Sequence, residues 1–232
     1  ETEEGRKRAG VTAEELIRFL SADPMEGTLL ALDRKKETKN PPLLYNLAEI
    51  QNDCSKMFKI SPDETLKIIQ ELYEKKLVTY PRTDARVLST AVSKEIYKNI
   101  GGLRNFAPLA DFAAKALDSG TWKQIAKTKY VNDKQITDHY AIIPTGQGFG
   151  ALRSLNPLAA KGYELIGRRF LSIFYPPAVY QKFSLRIEKQ GEQFFAAYKV
   201  LAEAGYLEVA NVPSKKKAES SGNSKAENSG AS

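Results

Sequence analysis

The sequence predicts an α+β fold, mainly α, on three observations. Segments with apolar residues at helical spacing, opened by clear start signals, fill the middle of the chain. An apolar extended-type run stands before Pro41, and a period-two segment with its own turn stands after Pro177. No apolar run nears the roughly 20 residues that cross a bilayer, so no membrane partner is expected. The 232 residues suffice for one large domain or two small ones.

Taken in order, Thr12 and Glu15 have capping-box spacing ahead of Leu16, Ile17 and Leu20, which predicts a short helix over 12–20. Gly27 to Leu32 reads as a strand bounded by Pro24 and by the charged run Asp33 to Glu37; Pro41 and Pro42 mark a boundary. Asn46 and Glu49 open a helix carrying Leu47, Ile50, Cys54 and Met57. Ser61, Pro62 and Glu64 open the next, with Leu66, Ile69 and Tyr73 as its inward stripe, running to about Lys76. This pair resembles a helix-turn-helix. Leu77 to Tyr80 are extended-type residues stopped by Pro81.

Helix signals resume at Ser89 with Val92, Ile96 and Ile100 and a Gly101, Gly102 stop, and another helix spans about Leu109 to Leu117. Asn156 and Pro157 open a longer one with Tyr163, Ile166, Phe170, Ile173 and Phe174 on its face, ended by Pro176 and Pro177. Phe183, Leu185 and Ile187 alternate, Gln190 and Gly191 turn, and Phe195 to Val200 returns as a hairpin arm. Beyond Pro213 the Ser, Gly, Asn and Lys-rich tail is expected to be disordered.

A formal charge of +7 favours a polyanionic partner, because clustered Lys and Arg release counterions from phosphates. One cysteine, Cys54, and one histidine, His139, exclude a disulfide framework and a Cys/His zinc cluster. That usage fits a reducing, cytoplasmic setting, with no signal-peptide pattern at the N-terminus. With no initiator Met, the chain reads as a piece of a larger protein.

Thr79, Tyr80, Pro81, Arg82, Thr83 and Asp84 put a phenol beside a guanidinium on irregular backbone. An unperturbed phenol titrates near about 10, so a tyrosine nucleophile needs a nearby positive charge or base. Arg82 could favour the phenolate and clamp a phosphate; the plain alternative is a strand-end aromatic and a solvated charge. Gln70 and Glu74 lie one turn apart on the helix leading to Tyr80 and share a face, either toward the site or toward solvent. Arg86, Arg168 and Arg169 could line a groove for single-stranded DNA, whereas Arg34, Lys35 and Lys36 read as a solvated run.

The run LYNLAEIQNDCSKMFKISPDETLKIIQELYEKKLVTYPRTDARVL, Leu44 to Leu88, resembles the active-site region of type IA DNA topoisomerases, closest to their topoisomerase III branch. ITDHYAIIPT, Ile136 to Thr145, is similar to the segment that closes the active-site domain in that family. The resemblance covers most of Pro41 to Ile187. It implies that Tyr80 is the nucleophile, that Arg82 positions the phosphate and that His139 contacts DNA phosphate near the nick. It also implies a polar network on Gln70, Glu74, Thr79, Thr83 and Asp84. Tyr140 departs from the pattern, since many relatives carry a second histidine there.

The same resemblance implies an organisation. Residues 1–40 would be a segment of a β-rich arch and 41–150 a winged-helix-like helical domain, bearing the tyrosine and inserted into that arch. Residues 151–178 would be a base-domain helix, 179–212 an arch hairpin and 213–232 a tail. Type IA enzymes also use Mg²⁺ held by an Asp-x-Asp cluster, and no Asp-x-Asp occurs here. No bound metal is therefore expected in this chain, whose partners would be single-stranded DNA and the metal-binding domain of the same polypeptide. The expected setting is cytoplasmic, with the nucleoid if bacterial. The rival readings are a non-catalytic winged-helix DNA-binding module, with Tyr80 structural, and a protein-interaction domain with an incidental basic charge.

Overall fold

Four of the helices begin where a side-chain oxygen takes up a backbone N–H that has no partner inside the helix, an interaction worth about 1 kcal/mol each. Asn46 accepts from Glu49 N at 2.9 Å and opens α1, Leu47–Phe58. Ser61 accepts from Glu64 N at 3.1 Å and opens α2, Pro62–Glu74, with Pro62 at its first position. Ser89 accepts from Val92 N at 3.2 Å and opens α3, Thr90–Gly102. A shorter helix, α4, spans Ala110–Asp118 without a side-chain cap. Asn156 accepts from Leu158 N at 2.8 Å and opens α5, Pro157–Ser172, and α6 is one turn, Leu207–Ala210.

The structure is a computed structural model that describes Glu15, Ile17, Arg18 and Ser21, then residues 26–189 and 191–211. Glu15, Ile17 and Arg18 are helical; the rest of the helix expected over 12–20, Gln190 of the expected turn, and the tail beyond Pro213 lie outside the described residues. The chain divides into two units, Glu1–Lys39 with Ala178–Ala204, and Asn40–Pro177 with Gly205–Ser232. Residues 205–211 thus return to the helical unit instead of closing the hairpin segment. Helix α5 shares that unit with α1 to α4. Among the described residues no helix is long and apolar enough to cross a membrane.

The core of the helical unit is built from Ile50 and Cys54 of α1, Ile69 and Leu72 of α2, Ile96 and Ile100 of α3, and Tyr163, Ile166 and Phe170 of α5, all buried. Each large apolar side chain contributes about 1.5–3 kcal/mol by leaving water. The stripe of α2 differs from the expected one. Thr65, Ile68, Ile69 and Leu72 face inward, whereas Leu66 is half-buried and Tyr73 is 39% exposed. The helix rotates its aliphatic residues inward and leaves the amphipathic tyrosine at the rim. Among the described residues of this unit, extended pieces meet as isolated bridges, Tyr45 with Ile142, Val78 with Pro144 and Leu88 with Val131. The described residues of this unit therefore hold a helix pair without a hairpin that would make a wing.

The other unit is a three-stranded antiparallel sheet in the order β1-β2-β3: β1 Thr28–Lys39, β2 Ala178–Lys189 and β3 Glu192–Glu203. β1 runs on through Asp33 to Glu37, past the expected stop at Leu32, pairing from Thr28 with Glu188 to Lys39 with Ala178. Its residues are exposed almost throughout, so it needs no apolar face; the backbone ladder and cross-strand side chains sustain it. Arg34 lies over the Phe183 ring at 5.6 Å, Phe183 stacks on Tyr198 at 4.8 Å, and Glu37 pairs with Lys199.

Candidate active site

The site forms where α2 stops. Lys76, with φ of 60°, turns the chain out of the helix, and Leu77 N bonds Leu72 O at 2.9 Å. Leu77 and Val78 are buried and anchor the exit, so the next residues emerge at the surface. Segment 139–145 runs alongside. Thr79 N donates to Ile143 O at 3.0 Å, Thr145 N to Leu77 O at 2.9 Å and Ala141 N to Val87 O at 3.0 Å.

Two threonine hydroxyls fasten these segments at either end of the Tyr80 turn. Thr79 Oγ1 donates to Ala141 O at 3.0 Å and accepts from Ile143 N at 2.9 Å. Thr83 Oγ1 donates to His139 O at 2.8 Å and accepts from Ala85 N at 3.1 Å. Both hydroxyls are engaged within the protein, so these residues hold the backbone of Tyr80 against that of His139 rather than reaching for a ligand.

The rings meet as that scaffold dictates. Tyr80 and His139 have centroids 4.3 Å apart at 38°, and Tyr73 meets Tyr80 edge-on at 5.5 Å and 81°. Tyr80 is half-buried; Arg82 and His139 are exposed. The three line one concavity of about 440 Å³ together with Thr83, Asp84, Thr137 and Asp138. Among the described residues the Arg82 guanidinium has no ion-pair or hydrogen-bond partner, so it faces the concavity with all its donors open. Asp84 is tied through its carbonyl, which accepts from Asn46 Nδ2 at 3.0 Å, and lines the same concavity without an ion pair to Arg82.

A second cleft of about 590 Å³ shares Tyr80 and His139 and is lined further by Tyr73, Glu74, Tyr140, Thr145 and Gln147. Gln70 Nε2 donates to Glu74 Oε1 at 3.1 Å, so the face shared by these two residues serves this cleft through Glu74. Burial pushes the Tyr140 phenol above its ordinary range. Gly146 and Gly148, with φ of 78° and 77°, press the loop onto its neighbours; a Cβ would come within 2.7 Å of Lys98 O or 2.5 Å of Lys75 O. That clamp holds Gln147 at the rim.

Three arginines stand elsewhere. Arg168 is 4% exposed; it pairs with Glu164 at 2.7 Å, donates to Val209 O at 2.8 Å and lies over the Phe112 ring. Arg169 pairs with Asp53 at 2.8 Å, donates to Leu43 O at 3.0 Å and lies 4.1 Å over the Tyr45 ring, whose hydroxyl bonds Asp53 at 2.6 Å. Neither is left open to solvent as the groove expectation requires: Arg168 is buried and Arg169 half-buried, each because anions and carbonyls of the chain surround it. Arg86 pairs with Glu49 at 3.1 Å and donates to Leu44 O at 3.3 Å, which ties the site loop to α1. Sequence reasoning misses Tyr73, placed in the core stripe, and Thr137, Asp138, Thr145 and Gln147. All but Tyr73 and Gln147 lie in the ITDHYAIIPT motif, which is the signal that could have found them.

Among the described residues no group of three or more His, Cys, Asp or Glu side chains could hold a metal ion. The Mg²⁺ that the resemblance implies therefore finds no fitting ligand set in them.

A sequence model of the family described as DNA topoisomerase matches residues 2–230, nearly the whole chain. This chain belongs to the type IA DNA topoisomerase family. It is 39% identical over 181 residues to the DNA topoisomerase 3 of Bacillus licheniformis, covering 77% of this chain and 24% of the relative. DNA topoisomerase 3 of Bacillus thuringiensis strain Al Hakam is 36% identical over 191 residues, 81% of this chain and 25% of the relative. That of Bacillus subtilis is 38% identical over 169 residues, 72% and 23%. The chain thus spans about a quarter of the length of the curated type IA relatives it matches. The fold is similar to that of full-length topoisomerase I from Thermotoga maritima, with TM-score 0.61 and 22% identity over 88% of this chain and 32% of the other.

Proposed function

We propose that this chain supplies the nucleophile and phosphate-handling side chains of a type IA DNA topoisomerase. The Tyr80 phenol oxygen attacks a backbone phosphorus of a single strand, and a P–O bond to Tyr80 forms as the P–O3′ bond breaks. The 5′ phosphate stays on Tyr80 and the 3′ oxygen leaves with a proton. A second strand passes, the 3′ hydroxyl attacks the phosphotyrosine, and the phenol is released. One phosphodiester is exchanged for another, so no ATP is consumed. Arg82 meets the non-bridging oxygens, whose charge grows in the transition state, and His139 contacts the phosphate beside the phenol.

One observation carries this reading: Tyr80, Arg82 and His139 converge on one open concavity, and among the described residues Arg82 has no partner there. Had Tyr80 been enclosed in the apolar core with Arg82 and His139 remote from it, the reading would fail. The carboxylates that would hold Mg²⁺ belong, in this proposal, to another domain, and no step is routed through them here. By itself the chain binds single-stranded DNA in a salt-dependent manner and relaxes no supercoils.

The test exchanges this chain for the matching quarter of the Bacillus licheniformis relative. The exchanged enzyme is incubated with a labelled single-stranded oligonucleotide and Mg²⁺, quenched with denaturant, and digested to map the modified residue. A nucleotide-bearing peptide that contains Tyr80 is expected. Adducts that persist in the Tyr80→Phe enzyme, together with a preference of the chain for duplex over single strands, would overturn the proposal in favour of a non-catalytic DNA-binding module.

A further inference from the structure

The second cleft shares the Tyr80 and His139 rings with the concavity assigned to the phosphate and so adjoins it. Its walls combine two kinds of group. Tyr73 and Tyr140 offer ring surface: Tyr73 is 39% exposed at the helix rim, and Tyr140 is half-buried in the lining of the same cleft. Glu74, Lys76, Thr79, Thr145 and Gln147 supply polar atoms. At about 590 Å³ the cleft admits a flat heteroaromatic ring with its sugar but no duplex.

We propose that this cleft is a nucleobase subsite, holding one unpaired base of the strand whose phosphate lies at Tyr80 and Arg82, and that it favours a base with an exocyclic amine. The inference rests on the function proposed above and adds a determinant of cleavage position. Aromatic faces at the rim stack a base without regard to its identity. Discrimination comes from Glu74. A carboxylate accepts hydrogen bonds and donates none, so it suits the amine of cytosine or adenine and disfavours the carbonyl that thymine presents at the same position. Gln70 holds Glu74 Oε1 at 3.1 Å, which fixes the carboxylate and leaves its other oxygen for the base. The Thr145 hydroxyl is engaged with Lys76 O and Gln147 N, so it shapes the wall rather than reading the base. Gln70 is accordingly a positioning residue and Glu74 the reading one.

The experiment is noncovalent and uses this chain with single-stranded hexamers. Oligo(dC) is expected to bind at least about fivefold more tightly than oligo(dT), and Glu74→Gln to bring the two within about twofold by adding a donor. Tyr73→Leu is expected to weaken both by about fivefold or more and to abolish the fluorescence quenching of a hexamer carrying 2-aminopurine, with the melting temperature unchanged. Gln70→Ala reduces the ratio part-way without touching the quenching. Equal binding of the two hexamers by the unaltered chain, no measurable binding, or quenching that survives Tyr73→Leu overturns the proposal. The covalent reading fails separately: adducts that persist without Tyr80 sink it while leaving the hexamer ratio intact, and a lost ratio with adducts retained sinks only the subsite.

Discussion

The turn that follows α2 and the C-terminal half of α5 both carry arginines, and the chain treats them in opposite ways. Arg168 and Arg169 are surrounded by protein oxygens: Glu164, Val209 O and Asn211 O for the first, Asp53, Leu43 O and the Tyr45 hydroxyl for the second. Arg82 has none among the described residues and faces an open concavity with Tyr80 and His139. The difference teaches that the task of a cation is set by whether its own chain supplies the counter-charge. Where it does, the cation joins packed elements; where it does not, its donors stay open to the concavity.

The largest effect that can sharpen this contrast is at the nucleophile. Tyr80→Phe in the exchanged enzyme removes the attacking oxygen and is expected to lower strand cleavage by about 10⁴-fold or more, measured as adduct per unit time. Its melting temperature stays unchanged, because the hydroxyl has no hydrogen bond among the described residues. A loss of stability would mean that the site turn belongs with the packed region after all. Arg168→Ala should do the reverse. Removing one partner of a buried pair leaves Glu164, Val209 O and Asn211 O uncompensated and costs about 3–5 kcal/mol in denaturant unfolding. Arg168→Met, which keeps the volume over the Phe112 ring, costs less.

Arg82→Ala comes next. With no internal partner to abandon, it should leave unfolding within about 0.5 kcal/mol. Cleavage and religation should slow by about 10²-fold, about 3 kcal/mol, the size of a lost transition-state contact. If unfolding shifted instead, the distinction between the two regions would collapse.

This contrast also shows what could be read in advance. The helix starts at Asn46, Ser61, Ser89 and Asn156 were legible because a cap is local: the oxygen and the N–H it serves lie two or three residues apart. The site turn was legible because Tyr80 and Arg82 are neighbours in sequence and His139 falls in a motif of its own. The fate of Arg169 was hidden, since its partners Asp53 and Leu43 lie 116 and 126 residues away; Arg168 has Glu164 one helical turn before it, but the Val209 carbonyl that completes its enclosure lies 41 residues on and no local pattern announces it. Tyr73 was misplaced for a related reason. Helical spacing gives a face only to within a residue, and an amphipathic ring at its edge fits either side. The extension of β1 through Asp33 to Glu37 escaped because a strand exposed on both faces carries no alternation to recognise.

A smaller effect tests how the two site segments are joined. Thr79→Val keeps the shape but leaves Ile143 N and Ala141 O without their hydroxyl partner, which costs about 1–3 kcal/mol. Because the same bonds align Tyr80 with His139, cleavage should fall as well, with kcat affected more than KM. Thr79→Ser restores the hydroxyl and should recover both. A stability loss with cleavage unchanged would show that the two rings align without this latch.

The smallest effect probes the packed interior beside the Arg169 pair. Cys54 adjoins Asp53 in α1, and burial pushes its thiol from the ordinary 9.0 up to about 11, with Asp53 adding to the shift. The sign follows from proton binding: between these values the unfolded thiol has lost its proton and the folded one has kept it. The contribution is therefore fully present below about pH 9 and lost as pH rises toward about 11. Over the single unit from pH 9 to 10 the expected loss is about 1 kcal/mol. That window is the informative one. The buried tyrosines contribute in the same direction, by about 0.3 kcal/mol each between pH 9 and 10 and more above it, since burial pushes Tyr130 and Tyr175 up to about 12 and raises Tyr45 and Tyr163 as well. Cys54→Ala should take about 1 kcal/mol off the fall in unfolding free energy between pH 9 and 10, leaving the tyrosine share there and the steeper fall above it. If the slope survived the substitution, the thiol would have to be in contact with water, and the interior that Arg169 and Asp53 border would be looser than the structure has it.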